Sequence, residues 1–197
     1  MGIIQPPEDP IVLFNDWFQQ AGEKELNDPN AMSLATINAN GQPSVRIVLL
    51  KNISDGNFVF FTNTESRKGN DLKANPNVAL CFHWKSLRLQ VRIEGHIEPI
   101  NDEEADAYFA TRPIGSQIGA WASQQSRPLE DRSQLEEALA AYSLKFGDDH
   151  VPRPPYWSGF RVIPREIEFW EEQPYRLHNR LVYTRHGSSW SIRRLYP

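Results

Sequence analysis

Helical spacing comes first along the chain. Behind Asp9-Pro10, the residues Ile11, Phe14, Trp17, Phe18 and Ala21 fall on one face, with an aspartate placed to cap the helix and a proline in its first turn. This predicts an amphipathic helix lying on a sheet. From residue 31 the period shortens to two. Residues 31–38 alternate into an Asn40-Gly41 turn and 44–51 follow as a leucine-rich, β-branched strand, so the pair reads as a hairpin. Ser54-Asp55-Gly56-Asn57 turns the chain again into a third strand over 58–62, extending an antiparallel meander. Residues 66–74 return to a helical pattern, which Asn75-Pro76 stops.

Two further strands are predicted over 78–84 and 87–98. Asn101 then caps a helix whose first turn carries Asp102, Glu103 and Glu104, where the helix dipole favours acids, and Arg112-Pro113 breaks it. A short helix follows over 114–122, and a longer one over 129–146 with Leu135, Ala138, Leu139 and Tyr142 on a shared face. The proline-rich run 151–155 is a rigid connector, because the C-terminal segment beyond it is too short to fold alone. Strands over 157–162, 167–171, 175–184 and 190–195 complete the chain, the last pair joined through His186-Gly187-Ser188. No repeat is present. Residues 1–197 therefore read as one domain, an antiparallel barrel with helices inserted between its strands.

Composition narrows what such a barrel does. With 40% hydrophobic and 23% charged residues in 197, the chain suits a soluble globule with a sizeable core. A net charge of -4 argues against nucleic acid as a partner, although local basic clusters still suit small anions. Cys81 is the only cysteine, and the five histidines lack zinc-ligand spacing, so neither a disulfide nor a metal site is expected. The segment from Met1 to Pro7 lacks a basic flank and a long apolar run, and no later stretch reaches membrane-spanning length. The expectation is a cytoplasmic protein with no membrane partner.

Positive charge gathers in particular places. In an extended strand over 176–180, Arg176, His178 and Arg180 share one face while Leu177 and Asn179 point the other way. This is either a solvated edge strand or a site for an anion. Arg67-Lys68 opens the helix over 66–74, where free backbone N–H groups favour a phosphate, or else forms a charged surface turn. Arg46 and Lys51 bracket Ile47, Val48, Leu49 and Leu50, a run apolar enough to be buried on both faces. Their odd separation puts them on opposite faces unless the ligand lies at a bend or a strand end. Tyr108 and Arg112 share a helix face with Ser116 just beyond, a phosphate cradle or a capping set. Gln90, Gln125 and Ser126 offer hydrogen bonds to a heterocycle that Trp170 borders, or serve structure alone. No dinucleotide or phosphate-loop glycine motif occurs.

Taken in order, Arg46-Ile47-Val48-Leu49-Leu50-Lys51, Ser66-Arg67-Lys68, Gln90-Val91, Tyr108-Phe109 with Arg112-Pro113, Gln125-Ser126, Trp157-Ser158-Gly159-Phe160-Arg161, Glu168-Phe169-Trp170 and Arg176-Leu177-His178 resemble the pyridoxine (pyridoxamine) 5′-phosphate oxidase family. The resemblance runs from about residue 9 to the C-terminus. It implies a mainly β, α+β fold, the FMN-binding split barrel, working as a homodimer with two flavin sites at the subunit interface. It also implies that Arg46, Arg67 and Lys68 hold the FMN phosphate, with Ile47 to Lys51, Phe61 and Thr62 beside it. Gln90, Gln125, Ser126, Trp170 and Arg180 complete the flavin site, some from the partner chain. Lys51, Tyr108, Arg112 and Ser116 bind the substrate phosphate, and Arg176, Leu177 and His178 lie at the substrate ring, Arg176 and His178 as its catalytic pair. The implied chemistry is hydride transfer from pyridoxamine or pyridoxine 5′-phosphate to FMN, then to oxygen, yielding pyridoxal 5′-phosphate and hydrogen peroxide, with ammonia from the amine. A non-catalytic carrier or sensor of FMN or pyridoxal phosphate is the competing reading.

Three departures accompany the resemblance. Asn179 replaces an aspartate, Leu89 stands where arginine is common, and the basic, aromatic segment that closes over substrate in many members is missing before residue 9. Weaker affinity is the expected consequence.

Overall fold

The computed structural model describes residues 4–147 and 150–197, so the expectation made for the first residues falls partly outside them. Among the described residues nine strands form one antiparallel sheet. In chain order they are β1 (Ala31–Ile37), β2 (Pro43–Leu49), β3 (Asn52–Ser54), β4 (Asn57–Asn63), β5 (Asn77–Trp84), β6 (Leu89–Pro99), β7 (Trp157–Glu171), β8 (Asn179–His186) and β9 (Ser189–Arg194). The order across the sheet is β2-β1-β5-β6-β7-β4-β3, with β8 added beside β7 and β9 beside β8. Leu50 and Lys51 join the two ends of that path: their N–H groups bond Asn30 and Val59, which curls the sheet toward closure.

The two strands predicted over 157–162 and 167–171 are one. β7 runs unbroken for 15 residues and pairs with β6 along its length, but Arg165 is an extra residue between the Gly95–Pro164 and Glu94–Glu166 pairs. Proline lacks the ladder N–H and is tolerated at such a bulge. The bulge is also where β7 changes its other neighbour, from β4 over Trp157–Val162 to β8 over Glu166–Glu171. The barrel is thereby split.

Helix α1 (Pro10–Lys24), capped by the Asp9 carboxylate, fills the barrel. Phe14 is fully buried and meets Phe58 and Phe82 edge-on at 5.0 and 5.1 Å, while Trp17 meets Phe169 at 5.2 Å. Helices α2 (Arg67–Ala74), α3 (Asp102–Ala110), α4 (Ile114–Ala122) and α5 (Arg132–Phe146) lie outside. The N-caps fall at Ser66 and Asn101, whose side chains accept from Gly69 and Glu104 N–H. α5 starts three residues later than its pattern predicts and buries no residue fully, with Leu139 exposed, because it packs mainly on α4 at the rim.

β2 overturns the expectation of a run buried on both faces. It is the edge strand of the path, with Val45 66% and Ile47 63% exposed, and only Leu50 beyond its end enters the core. An apolar edge of this kind marks a surface that another element covers.

Two glycine substitutions separate packing from propensity. A Cβ on Gly95 would run into the Ile163 carbonyl at the bulge, so Gly95→Ala is expected to lower stability by ~2 kcal/mol or more. A Cβ on Gly22 in α1 meets nothing, so Gly22→Ala is expected to raise it by ~0.5–1 kcal/mol. Urea denaturation of the two variants reads both signs.

Candidate active site

A cleft of 540 Å³ opens between β2, β4, α3 and α4. Its floor is aromatic. Phe61 on β4 stacks on Tyr108 of α3 at 4.1 Å and on Trp157 of β7 at 5.2 Å, the planes within 19° and 11° of parallel. Arg112 lies just past the end of α3 rather than within it, yet its Thr111 and Arg112 N–H groups still bond back into the last turn, which keeps it on the Tyr108 side. Its guanidinium packs over Trp157 at 5.0 Å and Phe109 at 5.6 Å. One nitrogen, Nη1, is buried without a hydrogen-bond partner among the described residues. Burial pulls its pKa below the usual value, while Tyr108 pulls it back up. Ser116 lies in the first turn of α4, a helix start that no side chain caps, and Lys51 sits 6.0 Å from the Tyr108 ring. The cleft thus offers a desolvated guanidinium, an ammonium, a hydroxyl and free helix N–H groups to one anion.

A second cleft of 460 Å³, lined by Arg67, Asp71, Gln125 and Ser126 among others, adjoins the first and shares Gln125 with it. Lys68 stands at the boundary, donating to Gln125 Oε1 at 2.6 Å, Thr62 Oγ1 at 3.0 Å and Ser66 Oγ at 3.3 Å. Burial, and then the charge of Arg46, bring its pKa down to about 8. Arg46, on β2, is fixed from behind: it donates to the Leu34 carbonyl at 3.1 Å, to Ser44 Oγ at 2.9 Å and to Thr36 Oγ1 at 2.7 Å, and Thr36 donates in turn to the buried Asp71 carboxylate. Burial lowers the Arg46 pKa, Asp71 raises it and Arg67 lowers it. Three cations converge on one helix start, which is the donor set a phosphomonoester requires.

The remaining predicted residues are elsewhere. Gln90, Trp170 and Arg180 are successive cross-strand partners on β6, β7 and β8, at the opposite end of β7 from Trp157. Arg180 is held by Glu168 at 2.7 Å, and Glu168 also takes Arg92 at 3.0 Å; the Glu168 bond raises the Arg180 pKa. Residues 176–178 are not strand, which corrects the alternating face expected there. Pro174–Arg176 form a 3₁₀ turn in which Tyr175 and Arg176 have φ of +59° and +62°, and β8 begins only at Asn179. Left-handed backbone at two non-glycine residues costs roughly 1 kcal/mol or more each. The turn leaves Arg176 and Leu177 exposed and Tyr175 90% exposed. His178 is tilted against Trp170 at 4.6 Å, and its Nδ1 accepts from the Gln173 N–H at 3.2 Å, so the neutral ring carries its proton on Nε2.

Of the sequence candidates, Ile47, Val48, Leu49, Lys51, Phe61, Thr62, Lys68, Tyr108, Arg112, Ser116 and Gln125 line the larger cleft, while Leu50 is core. Trp157, Asn63, Gly119, Ala120 and Ser123 line it too, although the sequence reading gave none of them a role in the site. Nothing in strand periodicity distinguishes Trp157 from a core tryptophan. Two departures have local partners: Asn179 donates to Glu171 at 2.7 Å, where an aspartate would face a second carboxylate, and Leu89 is buried in the barrel core.

Residues 18–146 match a family model described as pyridoxamine 5′-phosphate oxidase, and residues 157–197 match one described as the pyridoxine 5′-phosphate oxidase C-terminal dimerisation region. The chain is 56% identical over 194 residues to the pyridoxine/pyridoxamine 5′-phosphate oxidase of Rhodospirillum rubrum, covering 96% of each. It is 57% identical over 195 residues to the protein of the same name from Gluconobacter oxydans, covering 99% of this chain and 98% of that one. Among solved structures it resembles PhzG from Burkholderia lata in complex with tetrahydrophenazine-1-carboxylic acid, with a TM-score of 0.92, 33% identity and coverage of 98% of this chain and 95% of that one. A pyridoxamine 5′-phosphate oxidase-related, FMN binding protein from Nostoc punctiforme shares the fold at a TM-score of 0.75 and 17% identity, covering 99% of this chain and 100% of that one. With the split barrel, the anion-seeking clefts and matches over nearly its whole length, the chain belongs to the pyridoxine/pyridoxamine 5′-phosphate oxidase family.

Proposed function

We propose that the protein is an FMN-dependent oxidase of pyridoxamine 5′-phosphate and pyridoxine 5′-phosphate, producing pyridoxal 5′-phosphate with dioxygen as the electron acceptor. The observation that carries this reading is Arg112, a cation stacked on aromatic rings with a buried donor that no group of the described residues satisfies. A phosphate beside an aromatic ring answers both needs, and a phosphorylated pyridine is such a ligand.

Arg46, Arg67 and Lys68 hold the FMN phosphate, with Ile47 to Lys51, Phe61, Thr62, Gln125 and Ser126 along the cofactor. FMN, when bound, supplies the two-electron acceptance that amino-acid side chains lack. Lys51, Tyr108, Arg112 and Ser116 bind the substrate phosphate. Oxidation takes a hydride from the exocyclic C4′ carbon and a proton from its amine or hydroxyl; for the amine, water then displaces ammonia. Arg176 is exposed and makes no ion pair among the described residues, so it is available to clamp the substrate ring. His178, with Nδ1 occupied, offers Nε2–H to a ring substituent.

The site is shared between two copies. Trp157 and Trp170 are separated by roughly 40 Å of strand, so the substrate-phosphate residues of one chain meet Arg176, His178, Gln90, Trp170 and Arg180 of its partner. The exposed Val45 and Ile47 edge beside the cleft supports the same pairing. No helix among the described residues is long and apolar enough to cross a membrane, and we place the reaction in the cytoplasm.

Purified protein with FMN and pyridoxamine 5′-phosphate is expected to consume oxygen and release hydrogen peroxide, and Arg176→Ala to lose about 10²-fold in kcat/KM. Binding of both compounds without oxygen uptake identifies a carrier instead. Co-expressing Arg112→Met with Arg176→Ala, each strongly impaired but still measurable alone, should restore about a quarter of wild-type activity through mixed dimers; no recovery places the whole site in one chain.

FMN affinity should fall as pH rises from about 7 to 9, because Lys68, with a pKa of about 8, loses the charge the phosphate needs. A fluorescence titration is expected to show Kd rising by at most about tenfold per pH unit above 8, and Lys68→Met to flatten the profile. In the apoprotein the sign is opposite. The folded pKa lies below the ordinary 10.5, so the Lys68 contribution to stability rises between about 8 and 10.5.

A further inference from the structure

Arg153 lies in the connector between α5 and β7, outside both clefts, yet three pieces of the site meet at its guanidinium. Nε donates to Asp106 at 2.5 Å, Nη2 to Asp102 at 2.7 Å and Nη1 to the Trp157 carbonyl oxygen at 2.7 Å. Asp102 and Asp106 are one turn apart on α3, the helix that delivers Tyr108 and, past its end, Arg112. Trp157 is the plate on which Arg112 packs.

These bonds do not hold α3 to the barrel by themselves. Ala105 and Phe109 bury its apolar side, and Arg161 takes Glu104 at 2.7 Å. Asp102 and Asp106 are both well exposed, and pairs of that kind add little stability. The Arg153 side chain is only 11% exposed, and a planar fork with three fixed acceptors sets geometry as well as energy. What the bridge adds is the position of α3 relative to Trp157.

We propose that Arg153 is a positioning residue for the substrate phosphate. By tying Asp102 and Asp106 to the Trp157 carbonyl, it sets the spacing between the Tyr108–Arg112 pair and the Trp157 ring, and hence the place of the Arg112 guanidinium. It touches neither substrate nor cofactor. The inference rests on the function proposed above.

Steady-state kinetics with pyridoxamine 5′-phosphate on FMN-loaded protein test it. Arg153→Met is expected to raise KM roughly tenfold while kcat stays within about twofold, since a misplacement of about 1 Å is costly in binding geometry. FMN affinity is expected to stay the same, and Arg153→Lys, with a point charge in place of the fork, to recover only part of the loss. In an Arg112→Met background the same substitution should add less than about twofold, because both changes act on one contact. The pair Asp102→Asn with Asp106→Asn, on the exposed side of the bridge, should raise KM about threefold and decides the matter if Arg153→Met does not fold. An unchanged KM in both Arg153→Met and the asparagine pair overturns the proposal. So does an equal KM factor in both Arg112 backgrounds, or a loss of thermal stability and FMN binding with KM intact. A wild type that turns over no pyridoxamine 5′-phosphate overturns the proposed function and this inference together, whereas an unmoved KM in an active enzyme overturns this one alone.

Discussion

Positive charge held out of water without a carboxylate to answer it is the constraint on which this molecule turns. Arg92, Arg153, Arg161, Arg180 and Arg193 all reach acidic partners at 3.1 Å or less. Among the described residues the half-buried Arg112 makes no ion pair, and the half-buried Lys68 bonds only neutral oxygens. Those paired arginines fasten helices and strands to each other, whereas Arg112 and Lys68 hold their charge at the clefts without a carboxylate partner. Desolvating an unanswered cation is costly, and the protein bears that cost through rigid surroundings. For Arg112 these are a stack of Phe61, Tyr108 and Trp157; for Lys68 they are a buried helix cap.

β7 provides the spatial plan. Its bulge lets one strand serve β4 at one end and β8 at the other, so a single element carries Trp157 into the phosphate cleft and Trp170 into the group beside His178. Those ends lie too far apart for one small ligand. In the function we propose, that separation and the apolar edge strand flanking the cleft are the reasons for dividing the site between two copies. The strained turn at Tyr175 and Arg176 belongs to the same plan, since it lifts Arg176 off the sheet before β8 begins.

Departures from the family pattern are accommodated locally. Asn179 is matched by Glu171 across the strand pair, an amide donor facing a carboxylate, and Leu89 joins the apolar core at the start of β6. Asn179 gives the Glu171 carboxylate a hydrogen bond, and Leu89 adds no polar group to the core.

Most element identities were legible in the sequence because they rest on local chemistry. The Asp9 and Asn101 caps, the Asn40-Gly41 turn and the alternation of β1 depend on residues within a few positions of one another. The ordered motifs also identified the family and the residue types a phosphate needs. Local patterns could not reveal that 157–171 is one bulged strand, that Val45 and Ile47 face outward, or that 176–178 leave the strand, because each depends on which distant segment lies alongside. The same holds for Trp157 and Arg153, whose neighbours are brought in from β4 and α3. Sequence by itself determined which cations and helix starts are present and where each element begins; only the tertiary structure decided which cations are left unanswered, because that depends on which carboxylates the packing brings within reach.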